Sequence, residues 1–446
     1  MLRWFRVASA IALVSVSTVF ASAPPGISLV GIGYIPGSAL DKSGLSGVIC
    51  QAGAPANCIP RATFGGLGSD LAYTGHDNVF IAAPDRGPFD GLTDIPYLDR
   101  VHFLHLVTNP ATKQVTATLL DTRLLKNQYG ETFVGSTGAF AEDDLNTLRL
   151  DPEGIRASAD GTFFVSDEYG PYLFEFDRQG HLLQRIEVPD SFSIAAPNAN
   201  PNLELSGNTS GRQANRGMEG LAISPDGGTL FGMMQNALLQ DNALTPGTIN
   251  RRSTNTRILQ VALATGLTKE YVYQLDAVNL GQGVSEILAI NDHEFLVVER
   301  DNLSWLAAAP GAPTRKSIYR IDVTDATDVT GKTLPATGLP AGVKAVGKEI
   351  FINMLDPDFG LDKNDSKAIA EKIEGLAWGP DLPDGQHLLY VISDNDLSLV
   401  NPTQIYAFAI DDTKLLKPLN LQLQILPGPL YPPGQVKKAL GKDKAR

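Results

Sequence analysis

Acidic residues stand at matched places in five similar stretches of this sequence. In each stretch a carboxylate precedes a short apolar run, and the five are Asp70, Glu153, Glu219, Glu286 and Glu374. Carboxylate oxygens are the hard ligands that Ca²⁺ prefers, and like charges that face one another need cations, arginines or shared protons. We therefore predict that these residues bind a divalent metal, calcium first. The alternative is that each carboxylate accepts hydrogen bonds from backbone N–H groups of a neighbouring repeat.

A second set of polar residues follows these carboxylates after 13 to 20 positions. The set consists of Asp85-Arg86, Asp167-Glu168, Gln235-Asn236, Glu299-Arg300 and Asp394-Asn395-Asp396. Guanidinium groups bind phosphate oxygens in a fork, so carboxylates that hold a metal beside arginines suit phosphoester chemistry. The alternative for this set is ordinary ion pairing at the surface.

The predicted reaction is therefore the hydrolysis of a phosphoester. A water molecule beside the metal would attack phosphorus after losing a proton to Asp167, Glu168 or Glu299. Arg86 and Arg300 would stabilise the developing charge. We predict that the substrate is bound by Arg216, Asp85, Asp394 and Asp396. A serine hydrolase is disfavoured because the sequence has no GxSxG motif.

The elements that must position these residues are short strands in a repeated unit. Leu150 to Val188 contains an apolar run, an Asp-Gly turn, a second run and two further runs, and its pieces recur along the chain. Four strands per unit are typical of propeller blades, whose first strands line a central channel. We predict an all-β fold, a single β-propeller over residues 24–430, with six blades favoured and five or seven as alternatives. The strand SLVGIGYI, together with IYAFAID and LQLQIL from the C-terminal end, would close the ring.

Longer motifs in the same order carry a family resemblance. They are RLDPEGI, SDEYGPYLFEFD, NRGMEGLAISPDG, SEILAI with LVVERD, and KIEGLAWGP with YVISDND. From about Gly65 to Asp411 the chain resembles the exported "esterase-like activity of phytase" family. The resemblance implies an exported protein that acts on phosphoesters or other esters. Two other functions stay open: a calcium-dependent lactonase or carboxylesterase, and a non-catalytic binding or scaffold propeller.

The first 23 residues have the pattern of a signal peptide. Arg3 and Arg6 precede an apolar run from Val7 to Phe20, and small residues follow it. We predict export to the periplasm or the medium, with no stable membrane span after signal cleavage. In that compartment Cys50 and Cys58 are expected to form a disulfide.

The remaining predictions concern partners and the C-terminal end. The 36 basic and 49 acidic residues give a formal charge of -13, which argues against a nucleic-acid partner. The partner is expected to be a small ester or phosphoester, and the protein a monomer. Residues 431–446 are predicted to be a flexible tail.

Overall fold

Five four-stranded antiparallel sheets surround a central channel in a computed structural model of the chain. The structure describes residues 24–140, 147–170, 172–279, 281–304, 311–362, 368–426 and 429–441. The predicted signal peptide and the last residues of the predicted tail lie outside these ranges. No helix of the described residues is long and apolar enough to cross a bilayer.

The first three blades follow the chain without interruption. Blade 1 contains β4 (Asp70–Tyr73), β5 (Val79–Ala83), β6 (Arg100–Asn109) and β7 (Gln114–Leu124). Blade 2 contains β8 (Pro152–Ala157), β9 (Phe163–Asp167), β10 (Leu173–Phe176) and β11 (Leu182–Ile186). Blade 3 contains β12 (Met218–Ile223), β13 (Thr229–Met234), β14 (Asn255–Ala262) and β15 (Thr268–Gln274).

The last two blades differ in how they are built. Blade 4 contains β16 (Gly283–Ala289), β17 (Glu294–Arg300), β18 (Lys316–Asp322) and β19 (Gly347–Asn353). Blade 5 takes three strands from the C-terminal part, β20 (Lys372–Trp378), β21 (His387–Asp394) and β22 (Thr403–Ile410), and its outermost strand from the N-terminal part, β1 (Ile27–Ile35). This pairing of β1 with β22 confirms the predicted closure by SLVGIGYI and IYAFAID. The stretch LQLQIL is not a strand.

The ring closes with five blades, so the favoured number of six is corrected. Each innermost strand contacts those of the two neighbouring blades: β4 with β8, β8 with β12, β12 with β16, β16 with β20, and β20 with β4. A hydrophobic cluster of buried side chains lies between every neighbouring pair of blades. The N-terminal strand completes blade 5, and the strands left outside the blades among the described residues form only a two-stranded hairpin, too few for a sixth blade.

Smaller elements lie outside the five blades. The hairpin of β2 (Val48–Gln51) and β3 (Ala54–Pro60) carries the Cys50–Cys58 disulfide, which confirms the predicted pairing. The described residues include two short helices, α1 (Pro201–Gly207) and α2 (Pro433–Ala439), and 3-10 turns at Pro88–Gly91, Asp190–Phe192, Leu239–Asp241, Pro357–Phe359 and Asp412–Lys414. The start of the expected tail is packed, because Tyr431 and Val436 are buried in the cluster between blades 1 and 2.

After blade 5 the chain crosses one end of the channel. We call residues 411–426 the strap. Its Gln422 N–H donates to the Ile290 carbonyl at 2.8 Å in blade 4, and its Leu426 carbonyl accepts from His76 Nε2 at 2.8 Å in blade 1. All five innermost strands run from the open end, which we call the upper mouth, toward the end covered by the strap, the lower mouth.

Candidate functional site

A polar cavity of about 370 Å³ lies at the upper mouth, where the innermost strands begin and the second strands end. We call it the upper cavity. Its acidic lining residues are Asp85, Asp90, Glu153, Glu168, Glu219, Glu374 and Asp396. Its basic lining residues are Arg86, Arg216, Arg300 and Lys372. Residues far apart in the sequence thus meet because every blade contributes the same two strand ends to the mouth.

Three glutamates from blades 2 and 3 form a carboxylate cluster in this cavity. One carboxylate oxygen each from Glu153, Glu168 and Glu219 lies within 4.8 Å of the other two. All three residues are buried, and Glu219 Oε2 has no hydrogen-bond partner in the part of the chain that the structure describes. The Glu219 Oε1 atom accepts from Gln235 Nε2. An unpartnered buried carboxylate oxygen is costly, so this donor set fits an oxygen-ligated cation such as Ca²⁺.

The charges around these glutamates oppose their ionisation when no cation is bound. Burial, followed by the charges of Glu219 and Asp85, raises the pKa of Glu153 well above its usual range. Burial, followed by the charges of Glu168 and Glu374, raises the pKa of Glu219 in the same way. Either protons or a cation must therefore neutralise the cluster.

A second group of carboxylates continues from Glu153 along the cavity wall. Asp85 and Asp151 offer oxygens within 4.8 Å of each other and of Glu153. Burial raises the pKa of Asp85 to about 7, and burial raises that of Asp151 to about 6. Asp85 Oδ1 is buried and accepts no hydrogen bond from the described residues, although Arg86 Nη1 lies 3.5 Å from it. Asp85 is therefore a carboxyl that can take up and release a proton near neutral pH.

Asp85 also lies within 4.8 Å of oxygens from Asp394 and Asp396. Here the negative charge already has a partner, because Lys372 Nζ lies 3.3 Å from Asp394 Oδ2 and also binds Asp396 Oδ1. This lysine makes the group a weaker candidate for a cation than the three glutamates.

The arginines of the upper cavity fall into two kinds. Arg86 is held by Asp151 at 2.8 Å and by Asp90 at 2.9 Å, and Arg300 is held by Glu374 and Ser285. Arg216 differs, because it has no ion pair within 4.0 Å among the described residues, and its Nη1 donates to the neutral Gln235 side chain. Arg216 is therefore the guanidinium best placed to bind an anion in the cavity.

A family profile described as "Esterase-like activity of phytase" matches residues 62–397. The chain belongs to this phytase-like family. A relative in Arthroderma benhamiae, described as an uncharacterized secreted protein, is 28% identical over 472 residues, which cover 82% of this chain and 86% of the relative.

Two solved structures illustrate the wider similarity. A protein of unknown function from Dyadobacter fermentans matches 87% of the phytase-like chain and 100% of its own chain, with 10% identity and a TM-score of 0.36. A calcium-binding protein, regucalcin, from Agrobacterium tumefaciens matches 79% of the phytase-like chain and 93% of its own chain, with 10% identity and a TM-score of 0.34.

The predicted ring of five carboxylates is split between two levels of the phytase-like channel, which corrects the prediction. Glu153, Glu219 and Glu374 line the upper cavity, whereas Asp70 and Glu286 do not. In blade 4, Glu286 of β16 lies opposite Val298 of β17. In blade 3, the equivalent position of β12, opposite Met233 of β13, is occupied by Gly220 and not by Glu219. Glu286 therefore sits one position further along its strand. A shift of one residue changes the direction of a side chain in a strand.

Asp70 and Glu286 instead hold the blades together. Arg156 of blade 2 lies between them, 2.5 Å from Asp70 Oδ2 and 3.0 Å from Glu286 Oε1. Asp70 also accepts from the Ile155 N–H at 2.6 Å, and Glu286 accepts from the Leu221 N–H at 3.1 Å. This is the backbone-bonding alternative of the sequence analysis, and it separates the upper cavity from the lower half of the channel.

Three acidic residues of the second predicted set lie behind the cavity wall rather than on it. Asp167 accepts hydrogen bonds from the N–H groups of Asp151, Tyr169 and Gly170. Glu299 is bound by Tyr273 Oη at 2.9 Å and Lys348 Nζ at 2.8 Å between blades 3 and 4. Asp394 binds Lys372, as described above. Neither Asp167 nor Glu299 lines the upper cavity, so the structure does not bring these two predicted catalytic residues to it.

Sequence reasoning missed several charged residues around the channel, including Asp90, which lines the upper cavity. Asp151 directly precedes β8, Lys372 opens β20 and Arg156 follows Glu153 in β8. A signal was present for the first two, since each stands two positions before a matched glutamate. Nothing in the sequence indicated Arg156, because its partners Asp70 and Glu286 come from other blades.

Proposed function

We propose that this phytase-like propeller is an exported, metal-dependent phosphoester hydrolase whose reaction takes place in the upper cavity. A divalent cation, calcium first, would be held by Glu153, Glu168 and Glu219. The observation that supports this most directly is the position of Arg216. Its guanidinium has no carboxylate partner among the described residues, and it shares one cavity with three clustered glutamates.

The charge of the cavity favours a bound cation. Seven acidic and four basic side chains line it, so the fully ionised lining carries a charge of -3. Buried charges that lack partners are strongly unfavourable. A divalent cation would reduce this excess to -1 and would leave Arg216 free to attract an anionic substrate.

Each residue of the site has a proposed task. When bound, the cation polarises the phosphoryl group and lowers the pKa of a neighbouring water molecule. Arg216 binds phosphate oxygens, and Arg86 and Arg300 hold the surrounding carboxylates in place. Asp85, whose pKa is raised to about 7 by burial, accepts the proton of the attacking water. This task replaces the one predicted for Asp167 and Glu299.

Export is supported by three separate observations. The N-terminal segment has the pattern of a signal peptide, and the chain contains a disulfide, which is typical of oxidising compartments. The relative from Arthroderma benhamiae is described as secreted. We propose that the mature protein works outside the cytoplasm, where free calcium is abundant.

The test begins with the metal content of protein purified without chelator. The protein is then assayed with calcium on phosphomonoesters, phosphodiesters, phytate, aryl esters and lactones. We expect phosphate release that is lost in EDTA and restored by calcium. Arg216→Ala should lower kcat/KM by about 100-fold, because a charge-assisted contact to the developing anion is lost.

Glu349→Gln is a matched control, because Glu349 lies on the outermost strand of blade 4, far in the fold from the innermost strands. It should retain metal content and activity. Turnover of lactones without phosphate release would contradict the phosphoester assignment. No metal and no turnover on any substrate would instead favour a binding or scaffold propeller.

A further inference from the structure

A second cavity, of about 310 Å³, lies at the lower mouth beneath the strap. We call it the lower cavity. Its walls are the last residues of the innermost strands, including Leu71, Ala157, Ile223, Leu288, Ala377 and Trp378. It shares no lining residue with the upper cavity, and Arg156 with its two carboxylates stands between them.

The walls are mainly apolar, but two polar side chains reach the cavity with hydrogen-bonding atoms left over. Arg156 is 4% exposed, and its Nε–H has no acceptor among the described residues. Gln424 of the strap also lacks partners among the described residues: its Oε1 accepts no hydrogen bond and its Nε2 donates none. Buried polar atoms without partners are rare in native proteins, so each one requires an explanation.

The strap is built to hold Gln424 over the cavity. It is fixed on one side by the Gln422 N–H, which donates to the Ile290 carbonyl of blade 4, and on the other by the Leu426 carbonyl, which accepts from the His76 side chain of blade 1. Between these points Leu423, Gln424 and Ile425 line the cavity. The Gln424 amide also sits against Gly227 of blade 3, where an added Cβ would come within 2.5 Å of its Nε2. Gly227 thus leaves room for the amide.

The charge at this end of the channel favours an uncharged ligand. The guanidinium of Arg156 already contacts Asp70 and Glu286. Its remaining N–H can donate to a neutral acceptor without a further ion pair. The Gln424 amide offers one donor and one acceptor, which match the carbonyl and N–H of another amide.

We propose that the lower cavity binds a small, uncharged, mainly apolar molecule that carries an amide or ester carbonyl. The apolar body would fill space between the blade ends, and the carbonyl would satisfy Gln424 or Arg156. Small apolar cavities in proteins bind molecules of this kind. This site is independent of the phosphoester chemistry proposed for the upper cavity.

The test uses fluorine NMR titrations of the purified protein with 4-fluorobenzamide, 4-fluorotoluene and 4-fluorobenzoate. The amide should bind with a Kd below about 1 mM, as expected for a ligand of this size. It should bind at least about fivefold more tightly than the toluene, which cannot form hydrogen bonds. The charged benzoate should bind more weakly than the amide, because a buried carboxylate would lack a cation.

Three variants locate the site. Ala289→Phe, which fills the cavity from blade 4, should weaken amide binding by more than about tenfold, and Ala157→Leu replaces it if that variant fails to fold. Gln424→Leu should bring the two affinities for amide and toluene close together. Glu349→Gln on the outermost strand of blade 4 should leave the affinities for all three ligands unchanged.

Three results would overturn the proposal. They are no binding of amide or toluene to the wild type, unchanged amide binding in the filled variants, and an unchanged preference for the amide in Gln424→Leu. None of these results depends on whether the upper cavity hydrolyses a phosphoester.

Discussion

Two carboxylates of similar appearance in the sequence have opposite energetic roles. Asp70 is paired with Arg156 and with two backbone N–H groups, so its charge is stabilised in the native state. Glu153 is surrounded by other carboxylates, and burial with the charges of Glu219 and Asp85 raises its pKa. Removal of a paired charge should therefore destabilise the protein, whereas removal of the crowded one should not.

This contrast gives a prediction for a pair of isosteric variants. In EDTA at neutral pH, Glu153→Gln should melt at the same temperature as the wild type or higher, because a repelled charge is lost. It should also lose most of the stabilisation by calcium. Asp70→Asn should lower the free energy of unfolding by about 3 kcal/mol, because buried Arg156 loses one of its two carboxylate partners and keeps only Glu286.

Calorimetry with and without calcium measures both effects. The Asp70→Asn variant is expected to keep its response to calcium, since it lies outside the upper cavity. Equal responses to calcium in the two variants would show that Glu153 is not a ligand.

At the level of elements, the seam between β1 and β7 joins the ends of the ring. β1 pairs antiparallel with β22 along its length, but it meets β7 in parallel at Ile32 and Gln114 only. The two strands approach closely because β1 contains glycines. A Cβ on Gly33 would come within 2.5 Å of the Val115 carbonyl oxygen. The sequence GIG in β1 is therefore suited to a strand that must lie against another blade.

A side chain at position 33 should separate the two blades. We expect Gly33→Val to lower the free energy of unfolding by about 1 to 3 kcal/mol, the usual cost of overpacking. The matched control is Gly434→Ala at the start of α2, where an added Cβ meets nothing within 4 Å. Urea unfolding curves compare the two variants, and a loss in Gly434→Ala as large as in Gly33→Val would contradict the steric explanation.

For the whole molecule, the acidic channel makes stability depend on both pH and metal. Burial raises the pKa of Asp85 to about 7 and raises those of Glu153 and Glu219. The native state then binds more protons than the unfolded chain above about pH 4.3, where an unfolded glutamate titrates. The free energy of unfolding of the metal-free protein should therefore fall as pH rises toward 7.

The prediction is a higher melting temperature in EDTA at about pH 5 than at about pH 7.5. Calcium should raise the melting temperature more at the higher pH, because only ionised carboxylates bind it. The titration of Glu294 does not affect the comparison between these two pH values. Although burial opposes the shift, hydrogen bonds from Arg320 and Lys417 lower the pKa of Glu294 to about 2. Equal melting temperatures at both pH values in EDTA would contradict the prediction.

The sequence by itself determined the repeated blade, the closure by the N-terminal strand and the upper-mouth residues Glu153, Glu219 and Glu374. These follow from local patterns, since apolar runs and turns set the strands and each blade presents the same strand ends to the channel. Only the tertiary structure decided that the ring has five blades rather than six. It also decided that Asp70 and Glu286 lie at a lower level, because a register offset of one residue cannot be read from spacing. Their ion pairs with Arg156 join three blades, and such contacts depend on how the whole ring closes.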